Sequence, residues 1–248
     1  MRREERLQKI LELLDEEGFL TVEDLSRRFF ISLPTAYRDL RRLEQQRLII
    51  RGDGGAMPVA AEKATLPLDF RKVINAQAKA VIAKKAVALI RPGSVIFLDA
   101  STTAANMIGY LHPDMDLTVL TNGLMTAVQL SSAGIRTYCV GGNLIDNSIA
   151  VGGKLAGEVV DRFRIDMMFF SSYGVDAKGV IIDTADAEST LRRRILQKPV
   201  ESVFLCDQSK FGKSSVFRIA SIAMVDYVIA NAPLPESYPL PKEQVIVV

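Results

Sequence analysis

The residues best suited to chemistry in this chain stand just after short apolar runs. SVIFLD ends in Asp99, and Ser101, Thr102 and Thr103 follow, a carboxylate and three consecutive hydroxyls leading into a helical stretch. Hydroxyls and free backbone N–H groups at such a place can gather a phosphate. The plainer alternative is that Ser101 or Thr102 simply caps the helix. LTVLTN ends in Thr121 and Asn122, RTYCV runs into Gly141 and Gly142, and SVFLCD ends in Asp207 with Lys210 soon after. Glycines let a backbone approach a ligand closely, and a lysine brings a point charge to a phosphate. Together these groups suit a phosphorylated sugar or polyol. Other chemistries find little material. His112 is the only histidine and sits in the loop-like stretch HPDMD, which leaves a transition-metal site without ligands. Neither a GxxxxGK[ST] loop nor a GxGxxG turn after the first strand is present, and no cofactor is expected.

The elements that must position these residues alternate in type from about Asn75 onward. QAKAVIAKKAVALI, TAANMIGYL, LMTAVQLSSAG and LRRRILQ read as helices. SVIFLD, LTVLTN, RTYCVGG, IDMMFFSS, SVFLCD and VDYVIAN read as strands, the fourth following a glycine-rich segment. Short apolar strands between helices predict a mostly parallel sheet covered on both faces. Ligands of such sheets collect at the carboxyl ends of the strands, where the polar residues above are found. Cys139 and Cys206 lie in apolar segments far apart and read as reduced core residues.

The first part of the chain follows another pattern. Leu7, Ile10, Leu11, Leu13 and Leu14 form a helical stripe over residues 3–17, with Gly18 as its stop. Thr21 and Asp24 can form a capping box for the short helix VEDLSRRF. Ser32 can cap a third helix with Pro34 in its first turn; Ala36, Leu40 and Leu43 then face inward while Tyr37, Arg38, Arg41, Arg42 and Gln45 point elsewhere. LIIR, GDGG and AMPV read as strand, tight turn and return strand. Three helices and a hairpin in this order predict a winged helix-turn-helix over residues 1–57 that reads double-stranded DNA. The candidate DNA contacts are Ser32, Thr35, Tyr37, Arg38, Arg41, Arg42 and Arg51. Residues 58–75 read as a linker and 76–248 as the α/β domain.

Charge supports the division. The net charge is only +2, but residues 1–25 hold four basic and eight acidic side chains, while residues 26–51 hold seven arginines against Asp39 and Glu44. A basic block beside an acidic one suits a face that meets phosphate. With 48% hydrophobic and 24% charged residues, and no long uncharged apolar run, the expectation is a globular cytoplasmic protein. One winged helix reads few base pairs, so a dimer or tetramer is expected.

Both parts resemble one family. SLPTAYRDLRRLEQQRLIIRGDGGA, IAKKAVALIRPGSVIFLDASTT, LTVLTNGL, CVGG, SYGVDAKGV and CDQSKFGK, in this order, resemble the DeoR-type (GlpR-type) bacterial transcriptional regulators. The resemblance implies an N-terminal winged helix joined to a sensor domain similar to ribose-5-phosphate isomerase and coenzyme A transferases. It implies a repressor of carbohydrate genes controlled by a phosphorylated sugar, with Asp99, Ser101, Thr102, Thr103, Thr121, Asn122, Gly141, Gly142, Asp176, Glu188, Asp207 and Lys210 at the effector site. The chain departs from the family pattern in three places: Ser101 replaces a glycine, Ala36 and Tyr37 replace an isoleucine and an arginine, and Asp53 replaces a wing histidine. An alternative is a sugar-phosphate isomerase-like enzyme using Asp99, Glu188, Asp207 and Lys210 as acid–base groups, which leaves the winged helix without a purpose.

Overall fold

The computed structural model describes residues 3–17, 19–46, 48–52, 54–58, 68–145 and 149–248. The chain divides into two compact units, Met1–Ala76 and Gln77–Val248. Gly18, Asp53 and residues 59–67, half of the 58–75 stretch, lie outside the described residues.

The first unit contains α1 (Arg3–Glu17), β1 (Leu20–Thr21), α2 (Val22–Phe29), α3 (Leu33–Gln45), β2 (Ile49–Gly52), β3 (Gly55–Pro58) and α4 (Leu68–Val73). Leu7, Ile10 and Leu14 of α1, Leu25 of α2 and Ala36, Leu40 and Leu43 of α3 share one core with Ile49 and Ala56 of the hairpin. The hairpin is antiparallel, and β1 adds a third strand in the order β1-β3-β2. That third strand is only two residues long, too short to show any alternation in sequence. Helix α4 corrects the reading of 58–75 as a featureless linker; a six-residue helix shows less than two turns of periodicity.

Capping explains why α2 holds at eight residues. The Asp24 N–H donates to Thr21 Oγ1 (2.9 Å) and the Thr21 N–H to Asp24 Oδ2 (3.3 Å), a complete capping box. Hydrogen bonding from Thr21 holds the Asp24 carboxyl below its ordinary value, so its contribution is complete above pH 5 or so and fades as the pH falls through that lowered value. Thr21→Ala is expected to cost about 1 kcal/mol, read as a fall in the urea midpoint of the first unit. Ser32 behaves differently from expectation. It has the extended backbone of a cap, but its hydroxyl pairs with Thr35 Oγ1 (3.0 Å) and caps no N–H.

The second unit is built on seven parallel strands. Its elements are α5 (Ala76–Val87), β4 (Val95–Leu98), α6 (Thr102–Ala105), β5 (Thr118–Thr121), α7 (Leu124–Ser132), β6 (Arg136–Cys139), β7 (Asn143–Ile145), β8 (Ala150–Gly152) and α8 (Lys154–Asp161). They continue with β9 (Met167–Phe170), β10 (Gly174–Val175), β11 (Val180–Asp183), α9 (Asp186–Leu196), β12 (Glu201–Cys206), β13 (Phe217–Ser221), β14 (Tyr227–Ala230) and β15 (Val245–Val247). The main sheet has the order β15-β14-β12-β9-β4-β5-β6, with every pair parallel. Alternate residues feed two cores, one on each face: Met168 and Phe170 of β9 point into one, Met167 and Phe169 into the other. A three-stranded sheet, β10-β11-β13, and the hairpin β7-β8 complete the unit. No helix among the described residues is long and apolar enough to cross a membrane.

Two readings need correction here. The glycine-rich segment before β9 carries β7, β8 and α8. Cys139 is exposed on the edge strand β6, while Cys206 is buried as expected, and burial pushes its thiol pKa up.

Candidate functional site

In the first unit, the geometry of α3 sorts its charges. Asp39 is buried and accepts from Arg6 Nε (2.6 Å) and Arg3 Nε (3.3 Å) of α1. Glu44 pairs with Arg51 Nε (3.0 Å) of β2. Both acids of the basic block are therefore held by arginines of neighbouring elements. Arg41 and Arg42 are exposed, and their guanidinium groups make no ion pair or hydrogen bond among the described residues. Arg38, also exposed, reaches back along the helix to the Pro34 carbonyl (3.3 Å) and Thr35 Oγ1 (3.1 Å). Arg51 stands apart from these. It also donates to the Tyr37 carbonyl (3.3 Å), so it fastens the hairpin to α3.

Three exposed guanidinium groups on a helix with its acids turned aside have the charge and the donors that suit phosphates and base edges. Arg38→Ala is expected to weaken binding to the operator by roughly 1–3 kcal/mol where it grips a guanine. An arginine that meets only phosphate should instead weaken all sequences alike and reduce the salt slope by about one when removed. Salt titrations of the three single alanine variants separate the two roles.

In the second unit, strand order reverses at β4: β5 and β6 lie to one side, and β9, β12, β14 and β15 to the other. A crevice opens beyond the carboxyl ends of strands at such a point. Asp99 follows β4 and Ser171 follows β9, and the Ser171 N–H donates to Asp99 Oδ2 (3.2 Å). The centre of this region is Arg192, which the sequence reading missed. Its Nε and Nη2 donate to Asp99 Oδ2 (3.0 and 2.8 Å), Nη1 to Asp183 Oδ2 (2.7 Å) and Nη2 to Glu188 Oε2 (2.7 Å). All four residues are buried. Burial works against the guanidinium's charge, but the carboxylates of Asp99, Asp183 and Glu188 outweigh it and raise its pKa.

The second residue missed is Lys79. It is 4% exposed, on the inward face of α5, and its ammonium donates to Thr102 Oγ1 (3.0 Å). A signal existed for both residues: Lys79 recurs with Ile82, Ala83 and Ala86, and Arg192 with Glu188, Leu191 and Ile195, at the spacing of an apolar stripe. A charged residue in such a row is held inside by partners.

The expected site residues divide by what already occupies them. Ser101 is a helix cap, accepting from the Ala104 N–H (3.1 Å). Thr121 Oγ1 accepts from the Gly123 N–H (3.0 Å). Asn122 accepts from the Ala100 N–H (3.0 Å) and donates to the Val151 carbonyl (3.3 Å), joining the ends of β4 and β5 to β8. Asp207 accepts from the Ser209 N–H (3.1 Å), and the Lys210 ammonium donates to the Ser172 carbonyl. Gly141 and Gly142 both have positive φ, and a Cβ on Gly142 would lie 2.3 Å from the Gly152 carbonyl oxygen. The room left by Gly142 serves the close approach of its loop to the end of β8. Asp176 is not part of the Arg192 cluster; it closes the β10–β11 turn by accepting from the Lys178 and Val180 N–H groups (2.8 and 2.9 Å). Thr103 and Glu188 are buried beside these groups, Glu188 through the contact of its Oε2 with Arg192. A cleft of about 430 Å³ bounded by Pro113, Asp116, Ser131 and Arg136 opens at the other ends of β5 and β6.

Comparison with known proteins bears on both units. Residues 6–61 match the family described as DeoR-like helix-turn-helix domain, and residues 74–232 match the DeoR C terminal sensor domain. An HTH-type transcriptional regulator of Bacillus subtilis, YulB, is 31% identical over 93% of this chain and 89% of its own length. The glycerol-3-phosphate regulon repressor of Escherichia coli K12 is 30% identical over 96% of this chain and 94% of its own. Ribose 5-phosphate isomerase A of Methanocaldococcus jannaschii shares 20% identity over 55% of each chain, with a TM-score of 0.42. With its sensor domain matched over more than half of the sequence and its relatives matched along nearly their whole length, this chain belongs to the DeoR family of helix-turn-helix transcriptional regulators.

Proposed function

We propose that this protein represses carbohydrate-metabolism genes in the cytoplasm, as a dimer or larger homo-oligomer, and that a small phosphorylated sugar or polyol controls its hold on operator DNA. The effector is placed beyond the carboxyl ends of β4, β5, β9 and β12. One observation carries this reading: beside the Asp99–Arg192 network a buried ammonium, that of Lys79, meets the Thr102 hydroxyl where β4 leads into α6. A phosphate would take the Lys79 charge and the Thr102 and Thr103 hydroxyls, and a sugar hydroxyl would donate to Glu188. A relative's name, glycerol-3-phosphate regulon repressor, points to the same ligand class.

No catalytic step is proposed. Asp99, one of the carboxylates that an isomerase would use, is engaged at both oxygens, by Ser101 N–H on one side and Ser171 N–H and Arg192 on the other, and an isomerase would leave the winged helix without a part. The test is a thermal-shift screen of sugar and polyol phosphates against the full chain, with the unphosphorylated parents beside them. A true effector at 100 times its dissociation constant should stabilise the folded sensor by about 2.7 kcal/mol. Stabilisation by the parents and not by their phosphates would sink the reading.

A further inference from the structure

The start of α3 carries an exposed apolar edge that the arginines do not explain. Four large hydrophobic residues stand exposed among the described residues of the first unit, and three of them cluster here: Phe30 at 94%, Leu33 at 41% and Tyr37 at 44%. Leu33 is the first residue of α3, and Tyr37 follows four positions later on the same side of the helix, with Arg41 next in that row. Thr35, Arg38 and Arg42 make up the opposite row, where Arg38 is tied to Thr35. The Leu33–Tyr37 row is the side bordered by the hairpin, because Arg51 of β2 reaches both Glu44 and the Tyr37 carbonyl. Phe30 closes α2 with a left-handed backbone (φ 52°), an unfavourable geometry for a bulky side chain, and leaves its ring in solvent.

The occupant of this edge follows from its surroundings. Arg38, Arg41 and Arg42 flank it in the open while Asp39 and Glu44 are held by other arginines, so the surface as a whole is complementary to a polyanion. In a helix-turn-helix, the N-terminal residues of the second helix lie against base edges in the major groove. The one apolar group that DNA presents there is the C5-methyl of thymine. We infer that Leu33 and Tyr37 read thymine methyl groups, which makes them specificity-determining residues beside the arginines. This inference rests on the DNA-binding reading of the first unit. It assigns a reading role to Leu33, which hydrogen-bonding capacity alone would pass over, and it makes the ring of Tyr37 the reading group, with the hydroxyl dispensable.

The exchange of thymine for uracil removes only that methyl and leaves the hydrogen-bonding edge intact. Duplexes are first selected from a random library by the full-length protein, and each thymine of the enriched site is then replaced in turn by uracil. Burying a methyl is worth about 0.8 kcal/mol, so uracil at a contacted position should weaken binding about fourfold. Leu33→Ala should bind thymine and uracil equally at one such position and Tyr37→Ala at another, while Tyr37→Phe keeps the full preference. Leu33→Gln, which retains reach without an apolar end, should lose the preference as alanine does. A wild-type protein indifferent to every exchange overturns the inference, and so do variants that keep the wild-type preference at every position. Failure to enrich any sequence at all overturns the DNA-binding reading and the inference with it.

Discussion

Arg192→Ala is expected to destabilise the sensor unit by about 3–5 kcal/mol, a large share of the stability of an ordinary domain. The reason is what stays behind. One guanidinium holds Asp99 at the end of β4, Asp183 at the end of β11 and Glu188 on α9, all buried. Removing it strands three carboxylates away from water and unties three elements at once. Arg192→Lys should recover only part of the loss, because a lysine offers its donors from a single point and cannot span the three acids as a planar fork does. Two measurements check this: urea denaturation of the full chain, and hydrogen exchange at the amides of β4 and β11. Parent-like protection at those amides in Arg192→Ala would show that the fold does not depend on the network.

The same network marks where the sequence stopped being legible. Six of the seven strands of the main sheet were readable because Val, Ile, Phe and Met run together where both faces are covered, as in MMFF of β9 and VFLC of β12. Helix α3 was readable from the spacing of Ala36, Leu40 and Leu43. Among the elements that escaped, β1, β7, β8, β10 and β15 are two or three residues long, below the length at which a period shows, while the longer β11, β13 and α8 were passed over as well. The site was half legible. Strand-end position identified Asp99 and Thr102, but their partners Arg192 and Lys79 come from helices distant in sequence. Hydrogen-bond commitments were also hidden: nothing in the string says that Ser101 is spent as the helix cap while the next residue, Thr102, takes a lysine ammonium. Asp39 counted as one charge against a basic block, whereas its buried pairing with Arg3 and Arg6 removes it from the outer face of α3.

Loss of effector response without loss of DNA binding is the result expected from Thr102→Ala, Lys79→Met and Glu188→Gln. Lys79 is buried against Thr102, and methionine keeps the stem's volume while removing the charge. Lys210→Ala should act in the same direction more weakly, since its ammonium is only half-buried and already donates to the Ser172 carbonyl. Ser101→Gly, by contrast, should cost only a few tenths of a kcal/mol, because glycine is tolerated at a helix cap, and should alter which metabolite binds. The energetic demand on the effector can be stated. To move the protein from 1% to 99% in its DNA-releasing arrangement, the effector must prefer that arrangement by about 5.5 kcal/mol. Charge-assisted contacts to one buried lysine, two hydroxyls and Glu188 are the groups available to supply that difference. Linkage then requires that operator DNA weaken effector binding by the same factor by which effector weakens operator binding. Titrating the metabolite from the thermal-shift screen against free and DNA-bound protein measures one side, and operator affinity with and without the metabolite measures the other. Equal factors in the parent, collapsing to one in Thr102→Ala and Lys79→Met, are expected. Variants that respond as the parent does would place the effector elsewhere.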